Sequence, residues 1–453
     1  MRRFPSRGVV ILGIFLLLLI ENTRTVSAQV EAEKEQEGDE TQIEPSSDGM
    51  SKRWKSFLEA LPFEFHGFLD ARGGLRTQDD PHESKTATLG ETRLQLNLSK
   101  ALDWAKFRLK SDFLYDGVKE GASVDLREAN AILTPFEFMD LKVGRQILTW
   151  GTGDYIFIND LFPKDYKSFF IGRDDEYLKA PSNALKSSLY TKILNLDLVY
   201  SPRFNPDRFI DGKRLSYFNQ ELGRLAGEDA VIYPQKRNEW FEDSEIAMRL
   251  SRDIKGYGLD LYGYNGFWKS PVGFDPQTEK ATFPRLSVFG LSARGKAWGG
   301  IGNIEMGYYD SRDDRSGKNP FIPNSQIRYL AGYEQELAKD FTVGIQYYFE
   351  QMLQYGAYKQ TLPRGSHAAA EYGHVITLRL TKLLMYQNLR LSLFTFYSPS
   401  DQDAYVRPNI HYKITDHWSA EAGANIFLGE KDYTFFGQYK NDTNVYMGIR
   451  WSF

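Results

Sequence analysis

The chain has 453 residues, with 27 Tyr, 31 Phe, 38 Gly and no Cys, a net charge of -4 and a mean hydropathy of -0.47. The lack of cysteine excludes disulfides and thiolate chemistry, and the weakly acidic balance excludes nucleic-acid binding driven by bulk charge. Residues 1–28, MRRFPSRGVVILGIFLLLLIENTRTVSA, place Arg2, Arg3 and Arg7 before an apolar run at 8–20 and the small residues Ser27 and Ala28. That layout predicts a secretory signal peptide cut after Ala28, since the run is shorter than the roughly 20 residues of a spanning helix. Residues 29–62 are rich in Glu, Ser and Gln. Their sparse apolar content cannot offset the entropy of ordering, which predicts an acidic disordered tail. Within it, Trp54, Phe57, Leu58 and Leu61 have helical spacing and predict a short helix ended by Pro62.

From residue 63 to 453 the period is two. TRLQLNLS sets Leu94, Leu96 and Leu98 against Arg93, Gln95 and Asn97, and FTVGIQYYFE sets Val343, Ile345 and Tyr347 against Gln346, Tyr348 and Glu350. WSAEAGANIFL and the final NVYMGIRWSF alternate in the same way. Such segments, near ten residues each, suit tilted strands with one apolar and one polar face. Tight links at 99–103, 134–137, 194–195, 253–256, 298–300, 338–340, 386–388 and 414–416 alternate with longer polar ones. The count is about eighteen strands, an even number that lets the first and last strands pair. The expected fold is all-β, a closed antiparallel transmembrane β-barrel with long loops at one end and short turns at the other.

The whole pattern, from the basic-apolar start to the terminal aromatic residue, resembles Gram-negative outer-membrane porin-type barrels. VGRQILTWG resembles a stretch of porin-like families that include alginate-export proteins. The resemblance implies a cell outer-membrane location, a periplasmic tail, extracellular long loops and outer-membrane lipid as surroundings. It also implies that Ile449, Trp451 and Phe453 form the signal read by the barrel-assembly machinery. Relatives of this kind are often trimers, so a homotrimer is among the partners implied.

Catalysis finds little support. The six histidines form no His-x-Ser grouping, and GRDDEYLK lacks the Gly-spaced partners of a calcium loop. No cofactor or metal site is expected, and residues 29–62 are too few for the plug of an energised receptor. Parity turns Arg93, Arg108, Arg328, Arg379, Arg390, Arg407 and Arg450 inward, along with Glu350 and Glu421. Two readings stand: cross-strand ion pairs that stabilise the sheet, or a basic wall facing acids, which favours small polar or anionic solutes.

The long link 151–183 carries too many apolar side chains to be solvated throughout. Its Tyr155, Phe157, Asp160, Phe162, Asp165, Phe169, Phe170, Asp174 and Asp175 are the expected constriction residues. In the resembling porins the loop after the fifth strand folds into the lumen; a lid packed on neighbouring loops is the competing reading. In 202–242, Leu215, Phe218, Leu222 and Leu225 predict a helix stopped at Gly227. Around Arg145 and Gln146 the parity fails, which calls for either a bulge or a covered wall. The expected function is a passive channel, with a non-conducting structural or adhesion barrel as the alternative.

Overall fold

The computed structural model describes residues 63–363 and 365–453; the expected signal peptide, acidic tail and short helix lie outside them. The first seven strands are β1 (Glu64–Arg76), β2 (Ala87–Ala101), β3 (Ala105–Asp116), β4 (Gly121–Phe136), β5 (Met139–Gln146), β6 (Ser182–Tyr190) and β7 (Asn195–Ser201). A small hairpin, β8 (Tyr217–Asn219) with β9 (Arg224–Ala226), precedes β10 (Glu245–Ile254) and β11 (Tyr257–Phe267). A second hairpin, β12 (Gly273–Asp275) with β13 (Lys280–Thr282), precedes β14 (Arg285–Ala297), β15 (Gly300–Ser311), β16 (Gln326–Ala338) and β17 (Phe341–Met352). The chain continues through β18 (Tyr372–Leu384), β19 (Leu389–Ser398), β20 (Asp403–Lys413), β21 (Trp418–Leu428) and β22 (Asn444–Ser452).

Apart from the two hairpins, these strands form one 18-stranded sheet. It closes where β1 meets β22 antiparallel, from Phe68 opposite Ser452 to Arg76 opposite Asn444. Closure satisfies the backbone groups of both end strands, the condition for spanning a bilayer with strands. The faces follow parity. Val445, Met447 and Ile449 are 48%, 68% and 45% exposed, while Asn444 and Tyr446 are buried. The outer surface is therefore apolar and the inner one polar and aromatic, as the alternation predicts.

At the short-turn end, Lys255–Gly256 and Trp298–Gly299 have φ of 54° and 83°, and 45° and 87°. Positive φ at both central residues is the type I′ geometry that matches strand twist. Around Arg145 strand β5 stays regular, with Gln146 buried and Arg145 on the other face, and a separate bulge lies on the neighbouring strand. Lys110 pairs Glu128 and Ser111 pairs Leu126, leaving Arg127 as the extra residue of β4. On β5, Gly144 pairs Asn130 with φ 118°, and a Cβ there would lie 2.3 Å from the Ala129 carbonyl oxygen.

The helix expected over 215–227 does not form. Asn219 Oδ1 accepts from the amides of Glu221 and Leu222, and Gly223 turns with φ 64°, so the segment folds as the β8–β9 hairpin. Side-chain-to-backbone turn chemistry outweighs the helical spacing there. Leu215 and Leu225 are buried as that spacing suggested, whereas Leu222 is half exposed.

Candidate solute pathway

The link between β5 and β6 carries one short helix, α1 (Tyr166–Ile171). Asp165 caps its start by accepting from the Ser168 amide at 2.8 Å. Gly172 ends it with φ 83°, and a Cβ there would overlap the Tyr446 ring at 2.2 Å. Any other residue would both strain the backbone and strike that ring.

Three sets of contacts tie this link to inward side chains on different parts of the barrel. On β15, Glu305 accepts from the amides of Thr152 and Gly153 and from Asn159 Nδ2, the last at 3.0 Å, and Tyr309 donates to the Ile158 carbonyl. Trp150 and Phe162 pack there beside Tyr262, Leu286 and Val288. On the side of β19 to β22, Phe169, Phe170 and Ile171 enter a cluster with Phe394, Phe396, Tyr405, Phe427 and Tyr446. Ring pairs within it include Phe170 with Phe427 at 5.2 Å and Tyr155 with Phe394 at 4.7 Å. On β2 to β4, Arg173 pairs with Glu91, and Tyr177 lies between the Arg93 and Arg127 guanidinium carbons at 4.0 and 4.6 Å.

Five of the seven expected arginines make ion pairs. Arg93 meets Asp112 at 2.6 Å, Arg328 meets Glu350 at 2.9 Å, and Arg407 meets Asp175 at 3.1 Å. Arg450 meets Asp70 at 2.8 Å and Asp174 at 3.2 Å. Arg379 pairs with Glu334 and has Asp154 at 3.5 Å. Arg108 and Arg390 are exposed and make no ion pair among the described residues. Glu421 meets Arg72 at 2.8 Å and accepts from Asn409 at 2.6 Å.

The acids of the link divide. Asp174 and Asp175 face arginines of the wall, whereas Asp160 pairs with Lys164 at 3.0 Å and Asp165 caps α1 and meets Arg208 at 3.3 Å. Phe157 stacks under Lys164 at 4.6 Å. Burial works against ionisation of Asp174, but Arg450, the Glu176 amide and Arg72 hold its carboxyl below the usual range. Burial lifts the Asp154 carboxyl, with Arg379 opposing. Burial and the Asp175 carboxylate raise the Tyr155 hydroxyl, which donates to Asp175 at 2.6 Å.

Of the expected assembly residues, Ile449 faces outward, Trp451 contacts the Phe453 ring at 5.0 Å, and Phe453 exchanges backbone hydrogen bonds of 3.0 Å with Gly67. Arg72, Arg127, Arg173 and Arg208 are contributors that sequence reasoning missed. Arg72 shares the parity of Asp70 and was findable. Arg127 is hidden by the bulge, and the other two lie in links where no period applies.

No serine hydroxyl hydrogen-bonds a histidine ring among the described residues, and no group of three or more His, Asp or Glu is placed there to hold a metal. No family model matches the chain, and no curated protein matches it. Solved structures do. Acinetobacter baumannii OccAB3 is 12% identical, over 86% of this chain and 98% of that one, with a TM-score of 0.50. The chain has a porin-type barrel fold. Pseudomonas aeruginosa OccK10 (OpdN) matches at 11% identity over 86% and 99%, TM-score 0.47, and Salmonella typhi OmpF in complex with daunomycin at 12% over 86% and 97%, TM-score 0.43. At these identities the likeness is one of fold.

Proposed function

We propose that the chain is an outer-membrane channel for passive diffusion of small polar or anionic solutes, narrowed by the link 151–183. In this reading the short turns and the N-terminal tail face the periplasm, and the barrel is a homotrimer assembled by the barrel-assembly machinery. One observation carries the channel reading. Asp154, Asp174 and Asp175 of the link make ion pairs with Arg379, Arg450, Arg72 and Arg407 of the wall, which hold the link against the inner face of a closed barrel. A link held there narrows the lumen, and Arg390, which makes no ion pair among the described residues, favours anionic or dipolar solutes. A non-conducting adhesion barrel is the second reading, favoured by the two aromatic clusters that fix the link on opposite walls.

Planar-bilayer recording separates the two. The wild-type chain gives discrete single-channel steps, and deletion of residues 155–171 raises their conductance because it removes the clusters that hold the link in place. If the wild type forms no pore and the deletion opens none, the channel reading fails and the adhesion barrel replaces it.

A further inference from the structure

We propose that a recess between the start of the link 151–183 and the inner face of β14 to β18 binds a small amphoteric solute, one carrying both an ammonium and a carboxylate. Two adjacent cross-strand rows build its wall. One runs from Arg294 on β14 through Asn303 and Gly332 to Gln346 on β17. The next, nearer the short turns, runs from Glu334 on β16 through Gly344 to Arg379 on β18. Ile345, beside Gly344, is 50% exposed on the outer surface, so this row faces the lumen.

The link is fixed against these rows through its backbone. The Asp154 amide donates to Gln346 Oε1 at 3.3 Å, and Asn303 Nδ2 donates to the Thr152 carbonyl at 3.1 Å. The recess left between them is lined by Thr152, Asp154, Arg294, Asn303, Glu334 and Gln346, with Gly344 in its floor. It holds about 20 Å³, room for one water-sized charged group, so the rest of a bound solute lies in the lumen. A Cβ on Gly344 would lie 3.5 Å from Arg379 Nε, so a larger side chain there fills the floor without striking the backbone.

Groups of both signs in this recess lack partners among the described residues. The Asp154 carboxylate accepts no hydrogen bond there: Arg379 Nε stands 3.5 Å away without donating, and the same guanidinium pairs with Glu334. Two acids therefore share one arginine. Gln346 is 5% exposed, and its Nε2 donates to no group among the described residues. Arg294 is exposed and makes neither an ion pair nor a hydrogen bond among them. An ammonium in the recess supplies the donors that Asp154 lacks, and a carboxylate on the same solute reaches Arg294. A plain anion meets two carboxylates there, and a plain cation leaves Arg294 unspent and is repelled by it. The site deepens the channel reading and, as a station on a solute's route, rests on it.

The test uses the purified full chain in detergent and ligand-observed NMR, with γ-aminobutyrate, butyrate and butylammonium as probes of one carbon length. γ-Aminobutyrate binds about tenfold more tightly than either single-charge probe, the difference made by one charge-assisted pair. Arg294→Gln lowers its affinity to that of butylammonium, and Asp154→Asn lowers it to that of butyrate. Gly344→Val weakens it too, by filling the floor without changing a charge. Arg294 has no partner to lose, so its variant keeps the test readable if Asp154→Asn loosens the link. The proposal is overturned if γ-aminobutyrate does not bind, or binds no better than one of the single-charge probes. Unchanged binding in both Arg294→Gln and Gly344→Val overturns it as well. Liposome swelling with the same solute tests the channel reading separately: binding without swelling removes the channel and leaves the site.

Discussion

Arg76 on β1 stands between two buried carboxyls, donating to Asp442 at 3.1 Å with Glu83 at 3.8 Å. The three residues tie the β1–β2 loop and the segment before β22 to the long-loop end, and Ser216 of the β8 loop also bonds Asp442, at 3.1 Å. One guanidinium cannot balance two desolvated carboxylates. Burial therefore pushes both acids up to about 8, with Arg76 opposing and Asp80 adding to the rise. In the unfolded chain the same groups titrate near 3.8 and 4.5, so between those values and about 8 the folded chain keeps protons that the unfolded chain has released. The cluster's contribution is complete below the unfolded values and is lost as pH rises through about 8. Limited proteolysis within 77–86 and 429–443 is expected to be faster at about pH 9 than at about pH 6, and Glu83→Gln flattens the difference. Equal cutting rates at both values would remove this account.

Strands were the most legible elements, because one apolar face and a period of two leave little freedom of register. The eight tight links, the strand count and closure all follow from that pattern. The β8–β9 hairpin was misread because Leu215, Phe218, Leu222 and Leu225 satisfy a helical period while Asn219 and Gly223 set the turn. The failed parity near Arg145 marks an outward arginine on a regular strand, and the bulge at Arg127 had no period to show it. The anchors of the link 151–183 had no period to show them; its apolar content announced packing but not which wall. Register can be tested on β21, where Ala422 lies opposite Met447 and Ile410, which are 68% and 37% exposed. Ala422→Arg is expected to cost roughly 2–4 kcal/mol if the position is at the bilayer midplane. Glu421→Gln faces the lumen and leaves Arg72 its 3.0 Å pair with Asp70, so its cost is smaller, about 1 kcal/mol. Urea titration of both variants in liposomes checks this, and equal losses would place the strand in the wrong register.

For the whole molecule, five of the seven expected inward arginines are paired with acids, and selectivity depends on the charges left over. Arg93, Arg328, Arg407 and Arg450 spend their charge on partners within about 3 Å, so their fields largely cancel at the scale of a passing ion. Arg390 has no such partner among the described residues, and Arg379 stands between Glu334 and Asp154. A small anion meets its least screened attraction at Arg390, whereas the charge of Arg379 is shared by two acids. Replacing both, Arg379→Glu with Arg390→Glu, adds negative charge where Glu334 and Asp154 remain, and the local field changes sign. The reversal potential in a salt gradient is expected to report an anion-to-cation permeability ratio lower by roughly threefold or more. Each single variant should carry part of the change, Arg390→Glu by removing an unpaired cation and Arg379→Glu by leaving Glu334 and Asp154 uncompensated. A permeability ratio unchanged in the double variant would mean that ions pass elsewhere in the barrel, away from the wall formed by β18 and β19.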